Sequence, residues 1–117
     1  MATTRLPSFA VVIPMYNEEA GALRCVDQIV RALDVLPNRA VLVVVEDGST
    51  DRTRSILAGI GVRYPLLHVV EHDRNLGYGA ALRTGITAAV SLSAEYVVFM
   101  DSDLTNDPAD LRLVGSE

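Results

Sequence analysis

Two aspartates, Asp101 and Asp103, directly follow the apolar run Tyr96 to Met100 (YVVFM), with one residue between them. In extended chain, residues two apart point to the same side. Both carboxylates then face one spot, and like charges that close cost about 4 kcal/mol at an intermediate effective dielectric. A hard divalent cation removes that cost, and Mg²⁺ or Mn²⁺ takes oxygen ligands. Mg²⁺ is commonly held by one or two protein carboxylates while substrate phosphates complete its shell. Asp101 and Asp103 are therefore candidate metal ligands and candidate catalytic groups. The plain alternative is a solvated acidic turn that caps the next helix, where Asp107-Pro108 makes a good cap and first-turn pair.

Three further polar clusters follow apolar runs. Pro14-Met15-Tyr16-Asn17-Glu18 ends the first run; Pro14 stops a strand ladder and Tyr16 offers a flat face to a nucleotide base. The alternative is that Tyr16 packs over the sheet end. Glu46-Asp47-Gly48-Ser49 ends the second run. An acid there can accept from a base N–H or a ribose hydroxyl, Gly48 permits a tight turn and Ser49 can cap a helix; capping alone is the competing reading. Asn75-Leu76-Gly77-Tyr78-Gly79 opens a helix, where glycines let the backbone come close to an anion, and Gly77 is a candidate nucleotide contact. This last segment resembles the start of a dinucleotide fingerprint. Its third position is Leu82, not Gly or Ala, and its glycines come several residues after the strand, both departures from the fingerprint; NAD binding by an oxidoreductase domain is kept only as the alternative function. His68 and His72 lack Cys or His partners for a zinc site, and Arg74 and Arg83 read as solvated surface.

The elements that must position these residues alternate. Phe9 to Pro14, Ala40 to Val45, Leu66 to Val70 and Tyr96 to Met100 are short β-branched runs of the kind buried on both faces of a sheet. Between them the period changes. A helix is expected from an Asn17 cap, with Glu18 and Glu19 in its first turn and Leu23, Val26, Ile29, Val30 and Leu33 inward. A second buries Ile56, Leu57 and Ile60 and ends near Gly61; a third spans Gly77 to Ser91 with Leu82, Ile86, Ala89 and Val90 on its inner face. This βαβα alternation predicts a Rossmann-like α/β fold, an open parallel sheet with helices on both faces. Ligands of such sheets bind outside the carboxyl ends of the strands, where every polar cluster named above lies.

Composition narrows the classes. The chain has 117 residues, enough for one domain, and half of them are hydrophobic. Net charge is −5, every basic residue is arginine, and no basic run occurs, which argues against a nucleic-acid partner. Cys25 is the sole cysteine, so no internal disulfide can form. The N-terminal residues lack the apolar stretch of a signal peptide, and the longest apolar runs fall far short of the roughly 20 residues that span a bilayer. The expectation is a soluble or peripheral chain.

Taken together, VVIPMYNEE, VVVEDGSTD, NLGYGAALRTGI and FMDSDLTNDP resemble, in order and approximate spacing, the inverting glycosyltransferases of family 2, which have the GT-A fold. The segment Asp101 to Pro108 is most similar to the polyprenyl-phosphate sugar transferases, the subgroup of dolichyl-phosphate mannose synthase. The resemblance implies a sheet of strand order 3-2-1-4. It implies nucleoside contacts from Pro14, Tyr16, Glu18 and Asp47, with Asp101 and Asp103 facing Mg²⁺ or Mn²⁺ and the donor diphosphate. The implied partners are a nucleoside-diphosphate sugar and a polyprenyl-phosphate acceptor, and the implied location is the cytoplasm or the cytoplasmic face of a membrane. Two positions depart from the family pattern: Glu46 replaces a frequent aspartate, and Tyr78 stands between the glycines where many members have lysine. A whole GT-A domain is about twice as long, so residues 1–117 are expected to be its nucleotide-sugar-binding part, without the acceptor half. Such a piece would bind nucleotide with metal but turn over poorly, and a non-catalytic module that merely keeps the fold is the further alternative. The open edge at Tyr96 to Met100 is expected to drive self-association.

Overall fold

The structure is a computed structural model that describes residues 6–102. Its elements, in order, are β1 (Phe9–Met15), α1 (Ala22–Asp34), β2 (Ala40–Glu46), α2 (Thr53–Ile60), β3 (Leu67–Glu71), α3 (Tyr78–Ser91) and β4 (Tyr96–Phe99). A short 3₁₀ turn, Gly61–Arg63, extends α2. The strands form one parallel sheet in the order β3-β2-β1-β4, as expected. Helices cover both faces, so β1 and β2 are buried throughout, with only Pro14 and Val41 partly exposed. Their valine and isoleucine content suits a pleated strand that packs on two sides.

Alternation along the strands sorts the core into two layers. Phe9, Val11, Ile13, Leu42 and Val44 face α1 and α2, where they meet Val26, Ile29, Leu33 and Leu57. Ala10, Val12, Val43 and Val45 face α3 and meet Ala81 and Ala89. Full burial of each large aliphatic side chain is worth about 1.5–3 kcal/mol. The α3 layer is made of small residues, and the helix lies very close to the sheet. A Cβ added at Gly85 would sit 2.2 Å from Cγ1 of Val12.

This close approach corrects the expected inner face of α3. The helix turns Ala81, Gly85 and Ala89 to the sheet, leaves Leu82 half-buried, and exposes Ile86 and Val90. Larger side chains were expected inward, but alanine and glycine permit the tighter packing. Helix α1 is corrected in the same way. It starts at Ala22 and not at Asn17, no acid lies in its first turn, and its buried stripe is Ala22, Cys25, Val26, Ile29 and Leu33. Leu23 is exposed and Val30 half-buried. Strand ends differ by a residue: β2 runs on through Glu46, β3 is shifted by one and β4 stops at Phe99.

Candidate functional site

The loops after β1, β2 and β3 and the end of β4 meet at the carboxyl edge of the sheet. There they enclose a cleft of about 450 Å³, within the range of roughly 300–1,000 Å³ common for small-ligand sites. Its walls include Pro14, Tyr16, Glu18, Asp47, Gly77 and Asp101, together with Met15, Asn75, Tyr78 and Ser102. All the candidate nucleotide contacts named from the sequence thus line one cleft. Asp103 lies outside the described residues. A second cavity, about 320 Å³, opens at the opposite end beside Phe9 and Ala40, away from the strand ends where such sheets bind ligands.

The loop after β1 is pinned to the loop after β2. Asn17 adopts a left-handed backbone, φ 53°, a conformation asparagine tolerates better than most residues. Its Oδ1 accepts from the amides of Thr50 (2.8 Å) and Asp51 (3.3 Å). Its own amide donates to Ser49 Oγ at 2.9 Å, and the Glu18 amide donates to Thr53 Oγ1 at 2.8 Å. Asn17 is therefore a clamp between loops and not a helix cap. Asp51, just before α2, accepts from the Thr53 amide at 2.8 Å. Clamped this way, Tyr16 is left 43% exposed on the cleft wall.

The adjacent acids Glu46 and Asp47 point to opposite sides, as alternation along a strand requires. Glu46 is fully buried toward α2; it accepts from the Ser49 amide at 2.7 Å and from Arg54 Nε at 3.1 Å. It does not line the cleft, so its share of the expected base contact is corrected to a structural one. Asp47 turns toward α3 and the cleft. Its Oδ1 accepts from His72 Nδ1 at 2.8 Å and the Leu76 amide at 2.9 Å. Its Oδ2 accepts from Asn75 Nδ2 at 3.0 Å and the Gly77 amide at 3.1 Å. Burial opposes ionisation of Asp47, but the bonds from His72 and from the Leu76 and Gly77 amides outweigh it and hold the carboxyl below its ordinary value.

A lowered folded value has a definite sign in stability. The contribution is present above the unfolded value, about 3.9 for aspartate, and is lost as pH falls through the folded one. Urea denaturation across pH 2–5 should therefore show stability falling below about pH 4. Asp51 and Asp27, also lowered, contribute in the same direction. The variant Asp47→Asn should be less stable at pH 7 and show a shallower acid limb; an unchanged limb would remove Asp47 from this account.

Two glycines shape the cleft. Gly48 has φ +69°, and an added Cβ would meet the Arg74 carbonyl carbon at 2.1 Å and the Asn75 nitrogen at 2.3 Å. The β2 turn thus packs directly on the backbone that carries Asn75. Gly77, φ +99°, begins α3 and borders the cleft, so the positive end of the helix faces it. Sequence reasoning missed His72, Thr84 and the role of Asn75. In sequence His72 offers only a lone possible zinc ligand, yet it is buried and joins Asp47 to Thr84 Oγ1 (2.8 Å from Nε2).

Among the described residues, no group of three or more His, Cys, Asp or Glu side chains could by itself hold a metal ion. Asp101 presents an exposed carboxylate to the same cleft as Glu18 and Asp47.

The chain belongs to glycosyl transferase family 2, which it matches over residues 10–114. This sets aside the dinucleotide-binding alternative. Dodecaprenyl-phosphate galacturonate synthase of Rhizobium johnstonii is 36% identical over 109 residues, covering 92% of this chain and 31% of that protein. Undecaprenyl-phosphate 4-deoxy-4-formamido-L-arabinose transferase of Aeromonas hydrophila is 34% identical over 116 residues, 97% of this chain and 35% of that one. Among solved structures, the mannosyltransferase PcManGT of Pyrobaculum calidifontis, in complex with GDP-Man and Mn²⁺, aligns with a TM-score of 0.73 and 33% identity. That alignment covers 86% of this chain and 28% of PcManGT. S. aureus TarS 1-349 in complex with UDP-GlcNAc aligns with a TM-score of 0.67 and 31% identity, over 82% of this chain and 26% of TarS. The chain therefore spans about a third of the length of the curated relatives it matches, and the fold is that of a GT-A glycosyltransferase.

Proposed function

We propose that residues 1–117 are the donor-binding part of an inverting glycosyltransferase that moves a sugar from a nucleoside-diphosphate sugar to a polyprenyl phosphate. The observation that carries this reading is the convergence of Pro14, Tyr16, Glu18, Asp47, Gly77 and Asp101 on one cleft at the carboxyl edge of the sheet. The names of the relatives, which specify dodecaprenyl and undecaprenyl phosphate, support the acceptor class. The PcManGT complex with GDP-Man and Mn²⁺ supports a metal-bound donor.

In this reading Tyr16 and Pro14 pack against the base, Glu18 accepts from base or ribose, Asp47 shapes the nucleoside seat by holding Asn75, Leu76 and Gly77 in place, and Gly77 lets the α3 terminus approach the phosphates. Asp101, with Asp103, would hold Mg²⁺ or Mn²⁺. When bound, the ion supplies Lewis-acid stabilisation of the negative charge on the departing nucleoside diphosphate. A phosphate oxygen of the acceptor attacks the anomeric carbon as the bond to the diphosphate breaks on the opposite face, which inverts the centre. That oxygen is already anionic at neutral pH, so the chain must position it and need not deprotonate it. With a lipid-borne acceptor, we place the reaction at the cytoplasmic face of a membrane. Among the described residues no helix is long and apolar enough to cross one.

Titration of the chain with UDP-glucose and GDP-mannose, with and without Mn²⁺, tests the reading. Metal-dependent binding of one of them is expected; binding of neither, or binding indifferent to metal, overturns it. Transfer to a polyprenyl phosphate by this chain alone is expected to be slow or absent, and an ordinary enzymatic rate would refute the division of labour proposed. We also propose that β4 drives self-association, because it is an edge strand with Tyr96 and Phe99 exposed. Analytical ultracentrifugation should show dimers or larger species at high concentration; a strict monomer would count against the edge contact.

A further inference from the structure

We infer that His72 is a positioning residue for the donor nucleotide, acting through Asp47; this rests on the donor-binding reading above. The residue is held through its backbone and through both ring nitrogens. Its backbone amide donates to the Glu46 carbonyl at 2.9 Å, and its carbonyl accepts from the Arg54 guanidinium. Nδ1 meets Asp47 Oδ1 and Nε2 meets Thr84 Oγ1, each at 2.8 Å. An ionised carboxylate only accepts, so Nδ1 carries a proton and donates to Asp47, while Nε2 shares the second bond with the Thr84 hydroxyl. The imidazole is thus a strut between the end of β2 and the second turn of α3.

The strut matters because of what surrounds Asp47. Its other donors, the Asn75 side chain and the amides of Leu76 and Gly77, all lie on one short segment that borders the cleft. Among the described residues, His72 is the donor that links the carboxylate to Thr84 in the second turn of α3. Without it, Asp47 keeps its bonds to the Asn75–Gly77 segment at the start of α3 but loses the bridge to Thr84 further along the helix. The Asn75–Gly77 wall of the cleft, which this carboxylate holds, then relaxes, and the nucleotide beside it is held less well.

Three replacements separate this role from simple packing. In His72→Asn the side-chain NH₂ falls near the position of Nδ1 and preserves donation to Asp47. In His72→Gln it falls near Nε2 and reaches Thr84 instead. His72→Leu fills the space with no donor. Nucleotide affinity with Mn²⁺ should stay within about threefold of wild type in His72→Asn and fall about tenfold or more in His72→Leu and His72→Gln. The chain has two histidines, so ring ¹⁵N spectra resolve them, and His72 should show the Nδ1-protonated form. Equal affinities in His72→Asn and His72→Gln, or a bare Nδ1, would overturn the assignment even if His72→Leu fails to fold. Wild type that binds no nucleotide sinks the donor reading and this inference together, whereas wild-type binding with indifferent variants sinks the inference alone.

Discussion

Asp101→Asn should remove most metal-dependent nucleotide binding while leaving the fold intact. The side chain sits just past Met100, whose amide donates to the Val12 carbonyl at 3.1 Å and so fixes where the chain leaves the sheet. Asp101 itself is exposed and lines the cleft. Asparagine keeps the shape and discards the charge. A lost charge-assisted contact costs about 1.5–3 kcal/mol, which is roughly a 10- to 150-fold loss in affinity. Stability should stay within about 0.5 kcal/mol, since an exposed side chain away from the core is being changed. Isothermal titration with GDP-mannose and UDP-glucose in Mn²⁺, beside urea denaturation, separates the two effects. If the variant binds as wild type does in Mn²⁺, Asp101 is not a metal-side group and the cation assignment fails with it.

Gly48→Ala should damage fold and site at once. At φ +69° an L-residue pays about 1–2 kcal/mol for the left-handed backbone. The larger cost is contact with backbone. The new Cβ would lie 2.1 Å from the Arg74 carbonyl carbon, 2.3 Å from the Asn75 nitrogen and 2.6 Å from the Arg74 Cα. No rotamer change relieves a clash with main chain, so the two loops must separate. Separation pulls Asn75, Leu76 and Gly77 off the Asp47 carboxylate. We expect a loss of about 2–5 kcal/mol, the backbone strain added to the cost typical of overpacked sites, together with weakened nucleotide binding. A folded Gly48→Ala chain of unchanged urea midpoint would mean that the β2 and β3 loops are farther apart than described.

Much of this arrangement could be read from residue order, and the failures have identifiable causes. The strands were legible because their continuous β-branched runs leave no polar face, and the strand order followed from the resemblance of four motifs. Helix faces were harder. Large apolar residues dominate a periodicity argument, so Ile86 and Val90 outweighed Ala81, Gly85 and Ala89, although the small residues are the ones that touch the sheet. The split between Glu46 and Asp47 was available from strand alternation: Leu42 and Val44 face α1 and α2, so Glu46 must follow them, and Asp47 must face α3. His72 carried no such signal. Its partners are 25 and 12 residues away in sequence, and only the folded topology brings Asp47, His72 and Thr84 together. Asn17 was misread because asparagine is a common cap, and nothing local shows that its acceptor would serve another loop.

The clamp from Asn17 to residues 49–53 has a thermodynamic corollary. A seat whose walls are already bolted to each other gives up little conformational freedom when it is filled, so the ordering entropy of those walls is spent during folding and not during association. Nucleotide capture should then proceed without a preceding slow rearrangement of the first two loops, and its heat capacity change should reflect surface burial alone.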